Sequence, residues 1–220
     1  MENNNKEKNN KVLAVAALLV AIVGLSIGFA AYSGTLTIKS GATVTPDKDT
    51  FSIDFTNTPD GVDPDPIIPE VYPEGVKADP AIIDNTDNPT VSGLKAYFTA
   101  PGQKVSYTLY AYNNGQYSTY LKNILFKNVS GATSSRVCTP GTGASDALVQ
   151  TACDDIVLSV KVGNEAAVTG TKDNITNHAL VKDSSEQIIV TIEYLANGDL
   201  SDGPFDVQFG DVTLEYRSAD

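Results

Sequence analysis

The sequence predicts an all-β protein, an antiparallel two-sheet sandwich or jelly roll, preceded by an N-terminal hydrophobic signal or anchor helix. One observation is that residues 12–32 are apolar and carry no charge. Another is that short segments of alternating apolar and polar residues recur after them, separated by glycine, proline and asparagine. No convincing helical pattern follows the leader, so strands should pack against strands.

The leader has the features of a secretory signal or of a membrane anchor. Three lysines precede an apolar run of 21 residues, and small residues follow it. The run is longer than the usual signal core of about 7–15 residues and just long enough to cross a bilayer. Gly28 and Ala30 provide small side chains for signal peptidase, which predicts cleavage before Ala31. The alternative is an uncleaved anchor with the rest of the chain outside the cell.

Cleavage there divides the chain into a leader, 1–30, and one β-sandwich domain, 31–220, long enough to bury its own core. The formal net charge of the whole chain is −12. An acidic surface argues against binding nucleic acid, because phosphates must be neutralised by lysine and arginine. It suits a protein that is soluble outside the cell.

The first two strands are predicted soon after the leader. Residues 35–38 alternate, with Leu36 and Ile38 on one face. Residues 50–55 alternate strictly between aromatic or aliphatic and polar side chains.

Residues 57–89 are predicted to form a long acidic, proline-rich loop. They contain seven prolines and eight acidic residues, which disfavour strands and helices. Asp60, Asp63 and Asp65 are close enough in sequence to share a calcium ion through their carboxylates. The alternative is a solvated acidic loop without a metal, and the sequence otherwise predicts no cofactor.

In the middle of the chain, the sequence predicts three strands, the last two of which form a hairpin. Strands are expected at 91–99, at 104–112 and, as a return arm, within 116–126. Asn114-Gly115 favours a tight turn between the last two, because both residues tolerate positive φ.

Tyrosines are concentrated in this predicted hairpin. Tyr110, Tyr112, Tyr117 and Tyr120 form a candidate binding surface, because exposed tyrosines are amphipathic and cost little entropy to order. The alternative is ordinary strand composition, since tyrosine is a good strand former.

The only two cysteines, Cys138 and Cys153, are predicted to form a disulfide in an exported protein. The alternative is a pair of buried thiols. Further strands are predicted at 155–162, 187–195, 205–209 and 212–216. Gly210-Asp211, between the last two, predicts a bulge or a tight turn.

The sequence indicates no enzyme. Its single histidine, His178, lies in a polar stretch, and we interpret it as a surface residue without a base partner or co-ligands. Known nucleophile, zinc and phosphate-binding motifs are absent from the sequence.

Four short stretches carry recognisable motifs: the leader exit Phe29-Ala30-Ala31-Tyr32, the following Ser33-Gly34-Thr35-Leu36, the segment Pro101-Gly102-Gln103-Lys104-Val105 with Asn113-Asn114-Gly115 after it, and the closing residues 205–214. In their order they resemble the TasA/CalY (camelysin-like) family of Gram-positive exported biofilm-fibre and surface proteins. Gln103 stands where the family usually has aspartate.

The resemblance implies a jelly roll whose subunits join by donor-strand complementation after a signal peptidase frees the N-terminal strand. A free strand gains a ladder of backbone hydrogen bonds on a neighbour's edge. Carried over to this sequence, the donor strand would comprise Ala31, Tyr32, Ser33, Gly34, Thr35, Leu36, Thr37, Ile38 and Lys39.

Together these features predict a secreted structural protein of the cell surface or biofilm matrix. Its expected partners are other copies of itself, signal peptidase, and the membrane during export or as an anchor. The alternative is a monomeric or membrane-anchored adhesin or carbohydrate-binding module that uses the tyrosine surface.

Overall fold

Most segments with alternating apolar and polar residues form strands in the computed structural model, which describes residues 51–62, 66–86, 88–176 and 178–218. The strands are β1 (Ile53–Thr56), β2 (Glu70–Tyr72), β3 (Lys77–Asp79), β4 (Ile82–Asp84), β5 (Thr90–Ser92), β6 (Lys95–Tyr97), β7 (Lys104–Asn113), β8 (Thr119–Phe126), β9 (Arg136–Pro140), β10 (Ile156–Val162), β11 (Ala179–Leu180), β12 (Ser185–Tyr194), β13 (Phe205–Phe209) and β14 (Val212–Ser218). One helix, α1, spans Asp146–Asp154 within these ranges.

The largest sheet is built around β7, whose sequence alternates cleanly between apolar and polar residues. Its order is β1-β7-β12-β10, and β2 also pairs with β7, near the start of that strand. All of these pairs are antiparallel. The side chains on the inner face of β7 are buried, and they are Val105, Tyr107, Leu109 and Ala111.

A second sheet has the order β11-β8-β14 and is also antiparallel. Leu121 and Ile124 of β8 and Leu214 and Tyr216 of β14 belong to the same hydrophobic cluster as the inner face of β7. Apolar residues of two sheets share one core, which is the sandwich-like arrangement expected when each sheet hides one face from water. The prediction of an all-β protein is confirmed.

The smaller sheets pair β13 with β9, β3 with β6 and β4 with β5. Because β13 pairs with β9 whereas β14 pairs with β8, the chain changes sheets between the two strands. Gly210 lies at this change, and a Cβ there would come within 1.9 Å of the Lys127 carbonyl oxygen. The predicted bulge or turn at Gly210-Asp211 is thus a crossing from one sheet to another.

The expectation of no helix after the leader was wrong. Helix α1 lies inside the disulfide loop and buries Val149, Ala152 and Cys153, which are spaced three and four residues apart. With nine residues, the helix is too short to give a clear periodic signal beside its glycine- and threonine-rich neighbours.

The expectation of no strand within 57–89 was also wrong. Strands β2, β3 and β4 lie in this segment, and each has three residues. Prolines interrupt ladders but do not prevent short strands between them. Pro73 and Pro80 fall between these strands rather than inside them.

The predicted hairpin at Asn114-Gly115 is absent from the structure. Strand β7 pairs with β1, β2 and β12, whereas β8 pairs with β11 and β14, so the chain passes from one sheet to the other. The predicted strand 91–99 is divided into β5 and β6, and Gly93 between them has φ of +80°.

The remaining strand predictions fall in two groups. The segments 104–112, 155–162, 187–195, 205–209 and 212–216 form strands whose ends differ from the predicted ones by two residues at most. The predicted segment 50–55 is a strand only from Ile53 onward. The predicted strand 35–38 and the leader lie outside the described residues. Within the ranges described, no helix is both long and apolar enough to span a membrane.

Candidate functional site

An apolar groove of about 1250 Å³ lies against the inner face of β10 and β12. Phe205, Val207 and Phe209 of β13 line it on one side, and Leu158 and Val190 line it on the sheet. The groove extends to Val212, the first residue of β14. Its lining is mostly aliphatic and aromatic, which favours an apolar occupant.

The sheet residues in this groove are incompletely covered. Alternation places Leu158 and Val190 on the inner face, with Val160 and Ile188, yet both remain partly exposed. Val160 and Ile188 are at most 1% exposed. Within the described residues, the layer that faces the large sheet therefore leaves apolar side chains of β10 and β12 only partly covered, and covering such surface is favourable.

Other edges of the two sheets are contacted by nearby chain. Val168 exchanges two backbone hydrogen bonds of 2.9 Å with Val160 of β10. Lys172 does the same with Ile124 of β8, at 2.8 Å. These contacts occupy backbone groups that would otherwise attract another strand.

The edge at β1 is covered by a side chain. Phe55 donates its backbone N–H to Asn85 Oδ1 at 2.9 Å, and Asn85 Nδ2 donates to the Phe55 carbonyl at 2.7 Å. The carboxamide thus makes the pair of bonds that a neighbouring strand would make.

Strand β14 differs, because within the described ranges it pairs with β8 alone. We call its other side the open edge of β14. Val212, the first residue of β14, also lines the groove, so this strand begins where the groove ends. Backbone pairing along an edge combined with pockets for alternate side chains is the geometry of β-strand addition.

The disulfide lies in a small buried cluster that packs against two residues of the groove lining. Cys138 of β9 is bonded to Cys153 of α1, as the sequence predicted. Val149 is buried against the pair, and Phe205 and Val207 of the groove pack on the same cluster. The bond therefore attaches α1 to the β9–β13 sheet, whose second strand lines the groove.

The tyrosine candidates lie on two sheets rather than on two arms of one hairpin. Tyr110 and Tyr112 are half-buried on the outer face of β7, and a Cβ at Gly61 would lie 2.7 Å from the Tyr112 ring. Tyr120 is half-buried on β8, and Tyr117 is 59% exposed in the preceding loop.

Of the three candidate calcium ligands, Asp60 is described. Thr58 Oγ1 donates to its carboxylate at 2.5 Å, and this bond lowers the pKa of Asp60. Asp63 and Asp65 lie outside the described residues. In the part of the chain that is described, no three histidine, cysteine, aspartate or glutamate side chains are grouped to hold a metal ion.

The interpretation of His178 as a surface residue without a partner was wrong. Its side chain is 12% exposed and lies between two carboxylates, with Nε2 bonded to Glu186 Oε2 and Nδ1 3.7 Å from Glu165 Oε1. Tyr216, fully buried, donates to the other oxygen of Glu186 at 2.5 Å. The sequence could not reveal this cluster, because its members are brought together by sheet packing.

The proposed cleavage residues Gly28, Ala30 and Ala31 and the proposed donor strand lie outside the described residues. Comparison with known proteins gave no match: no family model, no curated protein and no solved structure matches this chain.

Proposed function

We propose that this protein is an exported structural subunit of an extracellular fibre or biofilm matrix that assembles by donor-strand exchange. In this proposal residues 31–39 of one subunit bind the open edge of β14 in the next. The observation that carries the proposal is that β14, which within the described residues pairs on one side only, begins at an apolar groove whose sheet residues are partly exposed. No catalytic role is assigned.

The proposed contact has two physical components. Backbone N–H and C=O groups of the donor would pair with those of β14, which satisfies both strands. Leu36 and Ile38 would enter the groove together, because alternate residues of a strand point to the same side. Burying one such side chain fully is worth about 1.5–3 kcal/mol.

Export fits the remaining features of the chain. The leader has the pattern of a secretory signal or anchor, and removing it before Ala31 would free the donor strand. The disulfide favours an oxidising compartment. We further infer that the sandwich-like core is a jelly roll that lacks one strand, which the donor supplies.

Paired substitutions in the donor test the proposal. In residues 31–220, Leu36→Lys or Ile38→Lys should abolish sedimentable polymer, because a lysine would have to enter the apolar groove. Thr37→Lys is the matched control, because this residue would face away from the groove, and it should polymerise like the parent. Sedimentation and electron microscopy measure the result.

Equal polymerisation of all three variants would contradict a donor strand in this register. Loss of polymer in the Thr37→Lys control as well would indicate a general charge effect rather than groove binding.

A second candidate is a monomeric or membrane-anchored cell-surface adhesin or carbohydrate-binding module. The observation that favours it is a set of large exposed apolar and aromatic side chains in and beside the short strands β2, β4 and β6. These are Ile68, Tyr72, Ile82 and Tyr97, each at least 42% exposed. Exposed tyrosines offer a flat face and a hydroxyl to a sugar ring.

This candidate makes a different prediction. Tyr72→Ala with Tyr97→Ala should abolish retention on a polysaccharide matrix and leave the circular dichroism spectrum of the folded domain unchanged. Retention of the double variant equal to that of the parent would exclude this surface as the binding site.

A further inference from the structure

The connection between β10 and β12 contacts both main sheets. We call residues 163–180 the strap; residue 177 is not among those described. Val168 of the strap pairs with Val160 at the edge of β10. Lys172 pairs with Ile124 of β8, and β11, at the end of the strap, continues the pairing with β8. One segment thus covers an edge of each sheet.

Further hydrogen bonds hold the strap to β8. Leu121 donates its backbone N–H to the His178 carbonyl at 3.1 Å, and Ile175 donates to the Lys122 carbonyl at 2.9 Å. Asn174 donates its backbone N–H to Asn123 Oδ1 at 3.0 Å. Together with the bridge at Lys172, these bonds run along most of β8.

A cluster of titratable side chains joins the strap to β12 and β14. His178 of the strap contacts Glu186 of β12, and Tyr216 of β14 donates to the same carboxylate. His178 also faces Glu165 of the strap, which binds Lys172 Nζ at 2.5 Å. His178 and Glu186 are only 12% and 11% exposed, so water screens their interaction weakly.

The position of His178 is fixed by close packing. A Cβ at Gly163 would lie 3.0 Å from His178 Cε1 and 3.3 Å from Glu186 Oε2, and Gly163 has φ of +52°. Glycine therefore lets the start of the strap approach the ion pair closely, in a conformation that other residues adopt at a cost.

The charge states in the cluster follow from its contacts. The bond to Glu186 raises the pKa of His178 above 6.5, Glu165 adds to this shift, and burial opposes it. The bond from Lys172 lowers the pKa of Glu165. Burial raises the pKa of Tyr216, so its hydroxyl stays protonated and donates to Glu186.

We propose that the strap is a pH-dependent cover: it is held on the edges of β8 and β10 while His178 carries a proton, and it loosens when that proton is lost. Because the native pKa of His178 is raised, its stabilisation is complete below about pH 6.5 and is lost as the pH rises through the native value. Glu165 acts at the other end of the pH range. Because its pKa is lowered in the folded protein, the stability that it gives to the strap is lost as the pH falls through that lowered pKa.

Two measurements on the full chain in detergent micelles test this proposal. The chain has one histidine, so the ring proton on Cε1 gives a single resonance whose titration reports the pKa of His178 directly. Hydrogen exchange, corrected for intrinsic rates, reports opening of the strap at the amides of Leu121, Ile124 and Val160, which donate to strap carbonyls.

The expected result is titration above pH 6.5, with protection of these three amides falling severalfold from pH 6 to pH 9. In His178→Gln the protection of these amides should be low at pH 6 and should not fall further toward pH 9. In His178→Lys the protection should stay high from pH 6 to pH 9. Titration at or below 6.5, or the same pH dependence in the parent and in His178→Gln, would overturn the proposal. A purely structural role for His178 would shift protection by the same factor at every pH.

Discussion

One buried asparagine, Asn113, holds the chain at the point where it leaves the large sheet. Asn113 is fully buried at the end of β7 and uses its whole carboxamide: Nδ2 donates to the carbonyls of Tyr117 and Leu180, and Oδ1 accepts from the Gly115 amide. It therefore fixes the passage of the chain from the large sheet toward β8, where the sequence indicated a hairpin.

Replacing Asn113 should lower the free energy of unfolding strongly, whereas replacing its neighbour Asn114 should not. Asn113→Ala leaves two carbonyls and one amide without their partner, and each costs about 1–3 kcal/mol when buried. Asn114→Ala removes one exposed contact of 3.3 Å and should change the free energy of unfolding by about 0.5 kcal/mol or less. Urea unfolding of both variants measures the difference, and similar values would contradict this role for Asn113.

For single residues, the sequence predicted which apolar side chains are buried better than it predicted which polar side chains contact one another. Tyr107 was placed on the inner face by alternation, and it is fully buried with its hydroxyl bonded to Lys95 and Asp79 backbone atoms. His178 and Glu186 could not be paired in advance, because their contact depends on how the strap crosses the sheets.

Among the secondary-structure elements, the disulfide connects the single described helix to a strand. It joins Cys138 of β9 to Cys153 of α1, and the pair is nearly buried. Double replacement by serine should lower the free energy of unfolding by about 3 kcal/mol, as expected for a loop of this size. Thermal unfolding with and without reductant measures the loss, and no difference would contradict a stabilising role.

The sheet crossing at Gly210 gives a second prediction for the elements. Gly210→Ala would force a Cβ against backbone at Lys127, and such overpacking costs about 1–3 kcal/mol. Gly170→Ala is the matched control, because a Cβ there would meet no atom within 4 Å. If both variants unfold at the same urea concentration, the crossing tolerates more space than the structure indicates.

Strand positions were predictable because period-two alternation marks a half-buried strand, as in β7, β12 and β13. Strand partners were not, because Asn114-Gly115 permits a tight turn and equally permits the chain to leave the sheet. The short strands of the proline-rich segment were missed because three residues carry too little pattern to distinguish them from loop.

At the scale of the whole molecule, two sheets share one core, and within the described residues β14 pairs on one side only and begins at the groove. Leu158 and Val190 belong to an inner face, yet they are partly exposed. No local pattern in the sequence predicts such a gap, because it arises from which strands pair and where the facing layer ends.

The most direct test is negative-stain electron microscopy of residues 31–220 beside residues 40–220. The proposal predicts regular filaments from the longer chain and monodisperse particles from the shorter one. Circular dichroism of the shorter chain should still show a folded β-protein. Monodisperse particles from residues 31–220 in every salt and calcium condition, or filaments that persist in residues 40–220, would contradict assembly through this strand.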